Sequence, residues 1–227
     1  MDYEQAVEGA PPGWRHFGID DVERLPVEVR ERELARIPRG EPDDRVVRAL
    51  FWPLVYHLEP KRWDELARHE PIHPAILEAL PRDVRTGLDV GAGSGRLTAH
   101  LVERCRRVLA VEPSSGLRAL LAQRLPTVDV EHGWSDSLPV NDASCDLVSA
   151  CGLLGPDPAS LAELRRVVAP GGWIALISPE EPEWFEADGW RRVTAEPIPP
   201  PPHPSWIDDF FGPPDPPREL VITRRLP

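Results

Sequence analysis

Lysine is almost absent, Lys61 being the one lysine among 26 basic residues. Arginine carries the remaining positive charge, and with 29 prolines this composition points to a GC-rich bacterial genome, a statement about codons and not about chemistry. Cysteine is scarce as well, with only Cys105, Cys145 and Cys151. Three cysteines leave one unpaired under any disulfide scheme and show no metal-ligand spacing, so reduced thiols and a cytoplasmic setting are expected. The seven histidines form no metal-like pair on one helical face. His69 and His73 come nearest, but Pro71 between them spoils a regular helix. No structural or catalytic metal is expected. Long apolar runs are missing too: no stretch approaches a bilayer span, and the opening Met1-Asp-Tyr-Glu lacks the basic start and apolar run of a secretion signal. Excess positive charge is the last absence. A net charge of −12 repels phosphate backbones and disfavours a nucleic-acid substrate, the local patch of Arg104, Arg106 and Arg107 notwithstanding.

What is present is enough apolar material for a folded core. A chain of 227 residues with 41% hydrophobic content suits one α/β domain with an additional cap. Residues 1–42 form a charged, partly irregular leader broken by Pro11, Pro12, Pro26, Pro38 and Pro42, with one short amphipathic helix expected from Pro26 to Ile37. Residues 43–82 read as a helical cap in three pieces, Asp43 to Trp52, Pro60 to His69 and Pro74 to Leu80, with a kink or break at Pro53. Residues 83–227 then alternate strand-like and helix-like patterns, as a parallel sheet with crossover helices requires.

Residues 88–95 read Leu-Asp-Val-Gly-Ala-Gly-Ser-Gly, an apolar strand end running into a glycine turn, and Arg96 to Val102 look like the first turns of a helix. Such a junction points backbone N–H groups outward and collects ligands. A dinucleotide-binding turn wants its third glycine one position later than Gly95, where this chain has Arg96, which weakens a nicotinamide or flavin reading. Val108 to Val111 is a second apolar run, ending in Glu112-Pro113-Ser114, and a carboxylate there can accept from both hydroxyls of a ribose. The ribose role is preferred for Glu112, the alternative being the start of the helix that follows, where a carboxylate is favoured near the N-terminus.

These segments, with Gly133-Trp134-Ser135-Asp136-Ser137-Leu138-Pro139 and Ala169-Pro170-Gly171-Gly172 followed by Trp173 to Ser178, resemble in order and spacing the class I S-adenosylmethionine-dependent methyltransferases. The likeness is to the small-molecule, quinone-biosynthesis-like branch, type 11, and covers roughly residues 84–178. It implies a Rossmann-like seven-stranded, mostly parallel sheet with helices on both faces, an antiparallel last strand and an N-terminal helical cap. Glu219 to Thr223 would be that last strand, with Trp190 to Thr194 as its hairpin partner and a proline-rich loop from Pro197 to Pro204 in place of the helix common in relatives.

The resemblance also implies S-adenosylmethionine as cofactor, S-adenosylhomocysteine as product and a small organic methyl acceptor. Gly91, Ala92, Gly93 and Gly95 with Asp89 would hold the methionine portion, Asp89 either meeting the amino group or bracing the loop. Glu112 and Pro113 would hold the ribose, and Trp134, Ser135 and Asp136 the adenine. Relatives often carry an aspartate where this chain has Trp134, whose indole either flanks the base or fills the core. Tyr56 and Trp63 from the cap and Cys151 are the expected pocket residues, Cys151 as a small wall residue with no neighbouring base or cation evident. If the acceptor must lose a proton, His57, His69 and Asp157 are the candidate bases. The residues do not choose among oxygen, nitrogen, carbon and sulfur acceptors. They also leave open a non-catalytic cofactor-binding subunit and a nucleotide-dependent oxidoreductase.

Overall fold

The computed structural model describes residues 3–214 and 220–224. It begins with α1 (Tyr3–Glu8), a 3-10 turn (Pro12–His16), α2 (Ile19–Val22), α3 (Val27–Leu34), α4 (Asp43–Ala49), α5 (Phe51–Leu58) and α6 (Pro60–Arg68). There follow α7 (Pro74–Ala79), β1 (Val84–Val90), α8 (Thr98–Leu101), β2 (Cys105–Val111), α9 (Ser115–Arg124), β3 (Asp129–Glu131) and β4 (Cys145–Cys151). The remainder is α10 (Pro158–Val167), β5 (Val168–Ile177), α11 (Pro182–Ala187), β6 (Arg191–Val193), α12 (Ser205–Phe211) and β7 (Leu220–Arg224). None of the described helices is long and apolar enough to cross a membrane.

The chain forms two compact units, one from residues 1–70 and 200–215, the other from 71–199 and 216–227. The second unit is a seven-stranded sheet in the order β3-β2-β1-β4-β5-β7-β6. Strands β1 to β5 pair in parallel, and β7 runs antiparallel to both β5 and β6. Side chains two residues apart share a face of a strand, and the core follows that period. Ala175, Ile177, Leu220 and Ile222 meet Ile76 of α7, Leu101 of α8 and Leu121 of α9 in one apolar cluster. Ile174, Leu176 and Val221 meet Leu161 and Leu164 of α10 and Phe185 of α11 in the other. Each face is therefore covered by helices, as a parallel sheet buried on both sides needs.

Several local expectations are corrected. The resemblance implies that Pro170-Gly171-Gly172 is a turn between a helix and the fifth strand, and here the run lies inside the strand. β5 already pairs at Val168, opposite Cys145, and the register jumps so that Leu147 faces Trp173, leaving 169–172 as a bulge inside the ladder. Proline has no N–H to give a ladder, and Gly171 sits at φ +72, so the bulge places both where pairing is suspended. The proline-rich stretch likewise leads into a helix: α12 starts straight after Pro204, because proline's fixed φ is compatible with the residue preceding a first turn. β6 and β7 pair as expected, but the segment between them departs into the first unit and is no hairpin turn. Glu219, expected to open the last strand, lies outside the described residues. Pro53 neither kinks nor ends a helix in mid-course; it falls in the first turn of α5, where its missing N–H costs nothing.

In the first unit the residues read as a partly irregular leader carry α1, the 3-10 turn, α2 and α3. The unit is held by aromatic packing. Phe17, Phe51, Phe210 and Phe211 meet at ring separations of 4.8 to 6.3 Å. Gly13 is what lets α12 lie this close: a Cβ there would fall 2.2 Å from the carbonyl oxygen of Phe210.

Candidate functional site

β1 ends in Asp89-Val90, and the glycine turn that follows bends back over the end of β2. Gly91 and Ala92 both donate their N–H groups to the carbonyl of Val111, at 2.8 and 3.1 Å. Gly93, at φ +56, then turns its N–H to Glu112 Oε2 at 3.0 Å, while Ser114 N–H reaches Glu112 Oε1 at 2.7 Å. Only glycine adopts that backbone region without strain. Glu112 is thus a clamp between the first and second strand ends. Burial holds its carboxyl above the ordinary carboxylate range, the backbone N–H donors of Ser114 and Gly93 and the charge of Arg118 offsetting only part of that rise. A carboxylate has about four lone-pair directions, so these two donors leave acceptor capacity.

Asp89 is 1% exposed and accepts a hydrogen bond from Thr98 Oγ1 at 2.6 Å. Its carboxyl is pushed up to about 7, first by burial and then by the nearby charge of Glu112, against the opposing Thr98 bond and Arg96 charge. Thr98 is a site residue that the sequence motifs do not pick out. Its signal is the spacing, since the first turn of the helix after a glycine loop returns over the preceding strand. The helix itself starts later than expected, at Thr98 and not at Arg96, because residues 93–97 are spent in turns.

The neighbouring strand supplies the other wall. β4 lies beside β1, with Val90 opposite Ala150. Cys151 closes it, half-buried, with Arg96 Nη2 3.4 Å from its sulfur. The expectation that Cys151 has no cation beside it is corrected: the turn after Gly95 carries the guanidinium across, a contact invisible in sequence order. Leu153 stands against Gly91, where a Cβ would meet its Cδ2 at 2.1 Å. On the β2 side, Gly133 packs beside Val111, and the half-buried Trp134 begins a tight turn in which Ser137 N–H donates to its carbonyl at 3.1 Å. Ser135 Oγ accepts from Ser160 Oγ at 2.9 Å, which ties this turn to the start of α10. Pro113 and Asp136 are half-buried beside these groups in the chain.

Asp89, the glycine turn, Glu112, the Trp134 turn and Cys151 therefore gather at the carboxyl ends of β1, β2 and β4. This is the edge where ligands of open α/β sheets bind. Asp157 belongs to the same unit but caps α10, accepting Ser160 N–H at 2.7 Å. Tyr56, His57, Trp63 and His69 belong to the first unit. There Tyr56 stacks on Trp52 and meets Trp63 edge-on at 4.9 Å, and His69 ends α6 with its ring 6.0 Å from that of His203.

Comparison with known proteins agrees with this geometry. Residues 88–176 match the family described as a methyltransferase domain. The chain is 37% identical over 136 residues to an uncharacterized methyltransferase of Mycobacterium tuberculosis, covering 57% of this chain and 54% of that protein. It is 34% identical over 119 residues to the demethylmenaquinone methyltransferase of Beutenbergia cavernae, half of each chain being covered. The chain thus spans about half the length of the curated relatives it matches. A solved S-adenosylmethionine-dependent methyltransferase from Methanosarcina mazei superposes with a TM-score of 0.51 at 15% identity, over 69% of this chain and 99% of that one, a likeness of fold.

Proposed function

We propose that this chain, whose residues 88–176 match the methyltransferase domain family, is a class I methyltransferase that transfers the methyl group of S-adenosylmethionine to a small organic acceptor. The observation that carries the reading is Glu112, held at the end of β2 with both oxygens aligned by backbone donors and acceptor capacity remaining for a pair of vicinal hydroxyls. The glycine turn fits the same group, for Gly91, Gly93 and Gly95 hold positive φ and bend the backbone sharply at the strand end. Ser94 adds a buried hydroxyl for which the described residues supply no partner.

In this reading Glu112 orients the ribose, the turn from Trp134 to Asp136 flanks the adenine, and Asp89 with residues 91–95 receives the methionyl end. When bound, the cofactor supplies a methyl carbon on a positively charged sulfur, whose transfer is an in-line displacement by the acceptor's nucleophilic atom. Cys151 and Leu153, at the end of β4, line the approach to that carbon and exclude water from it, so the protein contributes chiefly position and desolvation. Asp157 is committed to its helix cap, and we assign no base to it. An acceptor that ionises easily, such as a phenol, needs none.

Calorimetric titration with S-adenosylmethionine, S-adenosylhomocysteine and NAD tests the reading. Micromolar affinity for the two sulfur nucleosides, about −8 kcal/mol, and none for NAD is the expected outcome. Glu112→Ala should weaken both about 10- to 100-fold, the cost of hydrogen bonds to a charged acceptor. Equal affinity in this variant would place the ribose elsewhere.

A further inference from the structure

In the first unit, α6 and α12 meet through one cation and two rings. Trp206 and Phe210 stand four residues apart in α12, so both side chains share a face of that helix. Arg62, in the first turn of α6, lays its guanidinium over them, 4.5 Å from the ring centre of Phe210 and 5.7 Å from that of Trp206. Phe210 is itself held in place, buried against Phe17, Phe51 and Phe211. The platform under the cation is therefore fixed by packing. Beside it lies a cavity of about 210 Å³ lined by Arg62 and Trp206.

Stacking on a ring occupies the face of a guanidinium and leaves its edge, where the N–H donors point. For Arg62 that edge is little used. Its ion pair among the described residues is with Glu59, whose Oε2 lies 3.5 Å from Nε, and neither Nη nitrogen donates a hydrogen bond to a described residue. The indole N–H of Trp206 likewise has no acceptor among the described residues, its contacts being with the Arg62 cation and the Phe211 ring. The Arg62 side chain is 37% exposed, so its edge is within reach of a ligand from solvent. A carboxylate presents two oxygens to such a fork and accepts two charge-assisted bonds. A flat ring joined to that carboxylate has the half-buried indole of Trp206 to pack on. Size narrows the class further. Pockets for drug-sized ligands run from roughly 300 to 1,000 Å³, and this smaller one suits a single ring. Glu59 is a like charge on the Nε side and opposes any anion here, which keeps the affinity modest.

We infer that the first unit binds a small aromatic carboxylate, with its charge on the Arg62 fork and its ring against Trp206. The site does not rest on the cofactor reading, since its residues all belong to 1–70 and 200–215. Ligand-observed NMR titrations of the full chain with benzoate, benzamide and acetate test it. Benzamide keeps the ring without the charge and acetate keeps the charge without the ring, and each should bind at least about tenfold more weakly than benzoate. Arg62→Met should lose about 10- to 100-fold in benzoate affinity, and Arg62→Lys, which keeps the charge without the fork, should recover part of it. Glu59→Gln removes the opposing charge and leaves the fork in place, so it should gain about two- to fivefold. Should Arg62→Met fail to fold, the ligand series and Glu59→Gln still decide. Benzamide or acetate binding as tightly as benzoate, Arg62→Met within twofold of wild type, weaker binding in Glu59→Gln, or no saturable benzoate binding to the folded wild-type chain would each overturn the assignment.

Discussion

Asp89 is a carboxyl group kept from water and given a hydroxyl donor, and that environment sets a pH dependence. Burial raises its pKa from 3.8 to about 7. The folded chain therefore prefers the neutral form more strongly than the unfolded chain does. The resulting stabilisation is fully present below pH 4 and is lost as pH rises through 7. A rise of that size corresponds to roughly 4 kcal/mol. In Asp89→Asn the amide carbonyl can still accept from Thr98, but nothing titrates. Urea unfolding between pH 4 and 8, without cofactor, should show wild-type stability falling relative to the variant by up to that amount. Parallel curves would mean that the carboxylate is solvated or paired more strongly than its contacts indicate. The role of Asp89 as the residue closing a strand before a glycine turn is legible from Leu88 to Gly95. Its partner Thr98, and the crossing of Arg96 to Cys151, are not, because each depends on how the turn folds in space and not on a pattern along the chain.

At the level of elements, the start of α10 joins stability to the candidate site. Asp157 accepts Ser160 N–H, and the Ser160 hydroxyl donates to Ser135 in the turn after Trp134. Asp157→Ala removes the cap and should cost about 1 kcal/mol of unfolding free energy, measured by chemical denaturation. If Asp157 served as a proton acceptor in catalysis, the variant would instead lose turnover far beyond that loss of stability. The elements legible in the sequence are those with a regular apolar period and a terminating signal: β1, β2, α9 and α10. The bulge in β5 escapes such a reading because Pro-Gly-Gly ends helices far more often than it interrupts strands. What decides the matter is Val168, which pairs with Cys145 before the proline is reached.

On the scale of the whole molecule, the first unit is built from segments remote in sequence, residues 1–70 and 200–215. No periodicity in a proline-rich stretch reveals that it leaves one sheet strand, contributes a helix elsewhere and returns for the next. The return rests on close backbone approach at Gly13. Gly13→Ala sets a Cβ 2.2 Å from the Phe210 carbonyl oxygen, a clash that has to be relieved by moving α12. A loss of about 1–3 kcal/mol is expected for such overpacking, together with faster proteolysis within residues 200–215. Unchanged melting and cleavage would show that α12 adjusts without leaving its place.

The strand order has a further consequence, for the route by which the sheet is completed. β7 sits between β5 and β6, yet it follows both in the chain, after an excursion through another unit. Until residues 220–224 arrive, β5 ends the sheet with a bare edge and the short β6 has no neighbour at all. Unpaired edges are what recruit other chains. β7 thus covers the edge of β5 and gives β6 its place, and a chain cut before residue 220 is expected to self-associate more readily than the full chain.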